Sequence, residues 1–249
     1  MSKPDKYTEI KSCITEIFHQ NKGRYGYRRI ALALRSSGHI INHKTVFRLM
    51  GELDLKSKVR LRRYYSYRGK IGKAVPNVLH RNFKAIRPNQ KWATDVTEFS
   101  LFGEKLYLSP IIDLYNGEII SYQLAKRPSL SLVTDMLEKA VEKLPANAEL
   151  ILHSDQGWQY RHEMYQSILQ EKKIRQSMSR KGNCLDNAVI ENFFGHLKSE
   201  LLYLQNFESL EHFITELKEY LHYYNHQRIK KSLNGLSPTQ FRARFGSAA

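Results

Sequence analysis

The stretch KWATDVTEFSLFGEKLYLSPIIDLYNGEIISYQLA, residues 91–125, decides the fold. Residues 92–102 are rich in β-branched and aromatic side chains, Gly103-Glu104 can turn, and 105–115 repeat the strand pattern. Asn116-Gly117 then predicts a type I′ hairpin, and 118–125 complete a meander of three antiparallel strands. Downstream, apolar spacing predicts a helix over 130–144, a short buried strand over 149–153 and a helix over 160–172. A strand over 174–178 and a helix over 188–202 follow, so the order is βββαβαβα.

This is the order of the ribonuclease H-like α/β fold, a five-stranded mixed sheet flanked by helices. Three acids fall on it at telling places. Asp95 lies in the first strand (WATDVTEF, 92–99), and Asp155 lies just past the fourth (LILHSDQGWQY, 150–160). Glu191 lies one turn into the last core helix (CLDNAVIENFFGHLKSE, 184–200), with 35 residues between it and Asp155. A single acid reads as a solvated side chain or a helix cap. Three of them handed to one place by two neighbouring strands and the last core helix read as a divalent-metal site, and hard oxygen ligands suit Mg²⁺. His153 reads as a satisfied strand-end histidine in preference to a ligand. Asn187, four residues before Glu191, either reaches the site or the DNA, or shares helix capping with Asp186.

Charge is segmental. The chain carries +16 overall, yet residues 1–90 hold 21 bases against 5 acids, while 91–249 hold 19 of each. A neutral body with a basic front end fits a nucleic-acid binder, because phosphate neutralisation supplies most sequence-independent affinity. Residues 7–20 (Ile10, Ile14, Ile17, Phe18) and 27–37 (Ile30, Ala31, Leu34) have helical spacing. Gly38 stops the second helix, and Asn42 is placed to cap a third over 43–53, with Val46, Phe47, Met50 and Leu53 inward. His43, Lys44, Thr45 and Arg48 are left outward, which fits a helix-turn-helix with His43, Lys44 and Arg48 at a major groove; a protein-binding three-helix bundle is the other reading.

Residues 56–90 hold eleven Lys or Arg and no acid, interleaved with Tyr64, Tyr65 and Tyr67. Such a segment is either an arm along phosphates, with Arg60, Arg62 and Arg63 as contacts, or a solvated linker. Cys13 and Cys184 form neither a disulfide framework nor a zinc-ligand spacing, and no apolar run reaches membrane-span length, so a reducing cytoplasm is expected.

Six strings carry a family resemblance: GRYGYRRI (23–30), NHKTVFRLM (42–50), WATDVTEF, HSDQGWQY, SMSRKGNCLDNAVIENFF (177–194) and YNHQRIKKSLNGLSPTQF (224–241). In this order they resemble the transposases of bacterial insertion sequences, specifically the catalytic reading frame of the family numbered three, within the DDE superfamily that includes retroviral integrases. The resemblance implies that Asp95, Asp155 and Glu191 are catalytic and hold two Mg²⁺ ions roughly 3.5 to 4 Å apart, Mn²⁺ being able to substitute. It puts Lys198 at the basic companion position, two helical turns past Glu191. It implies DNA partners, namely terminal inverted repeats and target, a homo-oligomer on DNA, and an upstream-frame partner or fusion. Trp158 and Arg161 depart from the small polar residues common at those positions. The implied domains are a helix-turn-helix over 1–55, a basic arm over 56–90, a catalytic core over 91–204 and a helical extension over 205–249. Within the extension a helix is expected over 207–224, and Arg228, Lys230 and Lys231 are either phosphate contacts or solvated surface. A ribonuclease H-type nuclease and a DNA-binding regulator of transposition are the alternative functions.

Overall fold

Six strand segments form one mixed sheet in the computed structural model, which describes residues 5–57, 74–145 and 148–246. They are β1 (Lys91–Thr94), β2 (Thr97–Leu101), β3 (Glu104–Asp113), β4 (Ile119–Ala125), β5 (Ile151–Ser154) and β6 (Arg175–Met178). The expected strand over 92–102 is thus broken at Asp95 and Val96. Thr94 pairs with Ile111 and Thr97 with Leu108, so the antiparallel register against β3 continues across the break. The break has a local cause: the Asp95 carboxylate accepts the Val96 N–H at 2.7 Å, taking that donor out of the ladder. With β1 and β2 as halves of one rail, the sheet has the five rails expected. β4 and β3 are antiparallel to their neighbours, whereas β5 runs parallel to β1 and β6 parallel to β5.

Two turns differ from expectation. Asn116-Gly117 is not a type I′ hairpin, because that turn needs positive φ at both positions and only Gly117 has it. Residues 114–118 instead form a longer loop, in which the Gly117 N–H donates to the Asp113 carbonyl at 2.7 Å. Positive φ at both central residues occurs at Phe102 (55°) and Gly103 (75°), one residue before the expected turn.

Alternation along the strands divides the core. Trp92, Ile111 and Leu152 enter one layer with Val133, Met136 and Leu137 of α4 (Ser131–Val141) and with Tyr165 and Leu169 of α5 (Glu163–Glu171). Ala93, Phe99 and Ile112 enter the opposite layer. There they meet Ile190, Phe193 and Phe194 of α6 (Ala188–Leu197) and Phe213, Leu217 and Tyr220 of α7 (Leu210–His226). The helix expected over 160–172 starts instead as a 3-10 turn, Gln159–Arg161, and His162 caps α5 by accepting from the Met164 N–H at 3.2 Å. The helix expected over 188–202 changes to π-helical form at Lys198–Leu202. A helix not foreseen, α8 (Pro238–Phe245), opens with a complete Ser237/Gln240 capping box and Pro at its start.

At the front, α1 (Thr8–Gln20), α2 (Tyr27–Ser36) and α3 (His43–Glu52) form the expected trihelical unit, and the Asn42 side chain caps α3 by accepting from the Lys44 N–H at 2.9 Å. Phe47 is not inward: it is 64% exposed and meets Tyr27 edge-on, while Leu49 takes the core position. The unit shares its apolar cluster with α6 and α7. Tyr25 ties the two regions together, its hydroxyl donating to the Gln227 carbonyl (3.1 Å) and accepting the Ile229 N–H (3.2 Å). Among the described residues no helix is long and apolar enough to cross a membrane.

Candidate active site

Each of the three acids is set by its own element. Asp95 sits in the break between β1 and β2, half-buried, with Oδ1 on the Val96 N–H and Oδ2 accepting from Asn187 Nδ2 at 3.0 Å. Asp155 follows β5, and its Oδ1 accepts the Gly157 N–H at 2.8 Å. A Cβ added at Gly157 would stand 2.9 Å from that same oxygen, so the carboxylate can fold onto the turn only because residue 157 has no side chain. Glu191 lies in the first turn of α6, where the helix dipole favours an anion.

The three acids sense one another. Burial pushes the Asp95 carboxyl well above the usual range, and the charges of Asp155 and Glu191 add to this against the Val96 and Asn187 hydrogen bonds. Burial likewise raises Asp155, against the Gly157 N–H, and raises Glu191, which also feels Asp155. Among the described residues none of the three makes an ion pair. Nor do any three His, Cys, Asp or Glu side chains converge there as one ready-made coordination sphere. The donor set, carboxylate oxygens partly desolvated by burial and without an ion pair among the described residues, fits a hard divalent cation. The buried Asn187 Oδ1 has no partner and remains available.

Asn187 is therefore brought to the site, and neither it nor Asp186 caps α6 through its side chain. Asp186 holds the 3-10 turn Cys184–Asn187 in place. Its carboxylate accepts from Arg180 Nε (2.8 Å), Arg180 Nη2 (2.9 Å), Arg81 Nε (2.8 Å) and Asn77 Nδ2 (2.9 Å). Hydrogen bonds from Arg180, against burial and with those from Arg81, hold the Asp186 carboxyl far below the usual range. Arg81 comes from the segment read as a basic arm or solvated linker, 105 residues before Asp186, so nothing local in the sequence announced this clasp.

His153 is a structural histidine: fully buried, with Nδ1 2.9 Å from Ser177 Oγ and Nε2 2.9 Å from the Asp186 carbonyl. Tyr160 was not singled out as a neighbour of the acids. Burial, and then the charges of Asp95 and Asp155, push its titration upward, against a hydrogen bond from Thr94. Lys198 begins the π-helical turn, with Nζ 5.8 Å from the Phe99 ring centroid.

The other expected contacts separate into groups. His43, Lys44 and Arg48 are exposed on α3, although Arg48 pairs with Glu52. Arg60, Arg62 and Arg63 lie outside the described residues. Arg228 is neither a phosphate contact nor solvated surface, because it is 2% exposed and bidentate on Glu200 at 2.6 and 2.7 Å. Lys230 turns inward too, donating to Tyr224 Oη at 2.9 Å and the Gly117 carbonyl at 3.1 Å, whereas Lys231 is exposed.

Similarity to known proteins defines the family. Residues 6–63 match an HTH-like domain model, and residues 85–184 and 191–245 match two models of the integrase core domain. The fold is shared with the HTLV-2 integrase catalytic core domain solved in complex with magnesium, at TM-score 0.52 and 20% identity over 63% of this chain and 97% of that one. Fold and models together define the class, the integrase-core polynucleotidyl transferases. The chain is 57% identical to the putative transposase InsK of insertion sequence element IS150 from Escherichia coli K12, over 97% of this chain and 86% of that protein. It is 35% identical to the transposase InsF of IS3A from the same organism, over 92% and 81% respectively. The chain belongs to the IS3-type transposases of bacterial insertion sequences.

Proposed function

We propose that the chain cuts and joins DNA strands at insertion-sequence ends by divalent-metal-dependent phosphoryl transfer, with Asp95, Asp155 and Glu191 as catalytic residues and metal ligands. The observation that supports this best is the placing of three carboxyls around the break of the central rail on an integrase fold: Asp95 in the break on Asn187, Asp155 after β5 and Glu191 in the first turn of α6, close enough that Asp155 raises both Asp95 and Glu191. Two Mg²⁺ ions held there, or Mn²⁺ in their place, supply Lewis acidity at the attacking and leaving oxygens of an in-line displacement.

The chain's residues supply the rest. Asp95 would be the ligand shared between the ions; Asn187 donates to one of its oxygens and the Val96 N–H to the other, so the orientation of the carboxylate is set before substrate arrives. The Gly157 N–H orients Asp155, and α6 delivers Glu191. Because all three carboxyls sit above their ordinary range, a bound cation would draw them back down, so metal affinity should rise with pH. His43, Lys44 and Arg48 read the terminal repeat from α3, and Arg60, Arg62, Arg63 and Lys198 contact phosphates. The protein assembles as a homo-oligomer on DNA, with or without an upstream-frame partner, in the cytoplasm. Units over 1–55, 56–90, 91–204 and 205–249 divide this labour.

Joining of labelled element ends to a target in Mg²⁺ tests the reading. Asp95→Asn, Asp155→Asn and Glu191→Gln are each expected to abolish joining while DNA binding stays near wild type. More than a tenth of wild-type joining by any one of them removes that residue from the catalytic set.

A further inference from the structure

Where the front unit meets the catalytic body, a cavity of about 270 Å³ is lined by Arg24, Tyr27, Arg28 and Arg29 from the front and by His196 and Glu200 from the end of α6 and the π-helical turn. The positive charge around it is not balanced. Glu200 is the carboxylate of the cluster, and it is shared by Arg29 (3.1 Å) and the buried Arg228 (2.6 Å). Arg24 is 5% exposed. Its Nε donates to the Glu200 backbone carbonyl at 2.8 Å and its guanidinium lies over Tyr223 and Tyr220, but it has no carboxylate partner among the described residues. Arg28 is exposed and donates to the Tyr27 hydroxyl at 3.0 Å, again without an ion pair among the described residues. Two guanidinium groups, Arg29 and Arg228, thus share the Glu200 carboxylate, while Arg24 and Arg28 line the same cavity without an acid among the described residues, so its positive charge suits an anion.

The position of the cavity selects among anions. Tyr27 lines it, and the same ring stacks on His43 at 6.0 Å, so the cavity adjoins the amino-terminal end of α3. A duplex seated on α3 carries its backbone past this seam. No side chain caps α2, whose first turn also opens here.

We propose that the cavity between Arg24, Arg28, Arg29 and His196 is a binding site for one backbone phosphodiester of DNA held on α3, so that the phosphate bridges the front unit and the catalytic body. The inference rests on the DNA reading above. Its consequence is coupling: the phosphate touches both units, so DNA seated on α3 fixes the angle at which α6, and Glu191 with it, faces that DNA.

The test uses the full chain and a labelled duplex, with two readouts. Log affinity against log salt should be shallower by about 0.9 for Arg28→Gln than for wild type, the loss of one phosphate contact. The His196 imidazole, which burial and then the neighbouring Arg228 charge hold down to about 4, should titrate higher once duplex is bound. An equal salt slope in the variant, with His196 unmoved by duplex in the wild type, overturns the proposal while leaving DNA binding intact. A response of His196 to inorganic phosphate but not to duplex overturns it in favour of a free anion. Failure of the wild type to bind any duplex overturns the functional reading and this one together. If Arg28→Gln melts below wild type, the His196 titration in the wild-type chain alone decides.

Discussion

Asn187 donates to Asp95 at 3.0 Å across 92 residues of sequence, joining the turn before α6 to the break in the central rail. The contact is possible because Asp186 is clasped by Arg180 and Arg81, which fixes the turn, and because Asp95 has left the ladder. A residue one position from a helix start thereby orients a carboxylate on another element.

Asn187→Ala should therefore raise the Mg²⁺ concentration needed for half-maximal joining by roughly 10 to 100-fold, the range for partners that orient metal ligands. The rate at saturating metal should fall less. A proportional loss at every Mg²⁺ concentration would show that Asn187 acts on DNA and not through Asp95.

Gly157→Ala places a methyl 2.9 Å from Asp155 Oδ1, and the carboxylate must swing away. Joining should drop by about 100-fold, the scale for misplacing a reacting group by an ångström. Melting should change little, since the turn is half-exposed. Retained joining in Gly157→Ala would mean that Asp155 does not use this orientation in catalysis.

The metal-free site should weaken the fold as pH rises. Burial raises the Asp155 carboxyl in the folded state, so the folded chain binds protons more tightly than the unfolded one, and stability falls as pH climbs from the unfolded value of about 3.9 through the folded value. Asp155→Asn in chelator should consequently melt higher than wild type at pH 7, by on the order of 0.5 to 2 kcal/mol. The gap should close towards pH 4, and Mg²⁺ should stabilise wild type more than the variant. Identical melting at pH 7 in chelator would place Asp155 in an ordinary solvated turn.

The Glu200–Arg228 pair has the opposite sign. Burial alone would raise the Glu200 carboxyl, but the hydrogen bonds and charge of Arg228, with Arg29, hold it down to about 2. Its stabilisation is present above the unfolded value of about 4.3 and is lost as pH falls towards 2. Arg228→Ala strands a buried carboxylate and should cost about 3 to 5 kcal/mol in urea unfolding at pH 7. Glu200→Gln should flatten the acid limb below pH 4; an unaltered limb would assign acid unfolding to other groups.

Much of this was legible in the chain. β-Branched runs, turn residues and helical apolar spacing are local properties, so they located the meander, the three front helices and the order of elements that implies the fold. The three acids were singled out in the sequence from their places in the element order: Asp95 in the first strand, Asp155 past the fourth and Glu191 one turn into the last core helix. The capping box of α8 was also written in Ser237 and Gln240, though it was read only as part of a motif.

What tertiary structure decided is where charged side chains go. Arg228 and Lys230 are basic residues in a basic string, and nothing local distinguishes them from Lys231. Their burial follows from Glu200, the Tyr224 hydroxyl and the Gly117 carbonyl, which come from other elements and offset desolvation at those two positions only. Phe47 is turned outward for a related reason: Tyr27 of α2 receives it, while Leu49 fills the core. Sequence fixes backbone preference through nearest neighbours, but the cost of burying a charge or exposing a ring depends on groups many residues away, and only the folded chain brings those together.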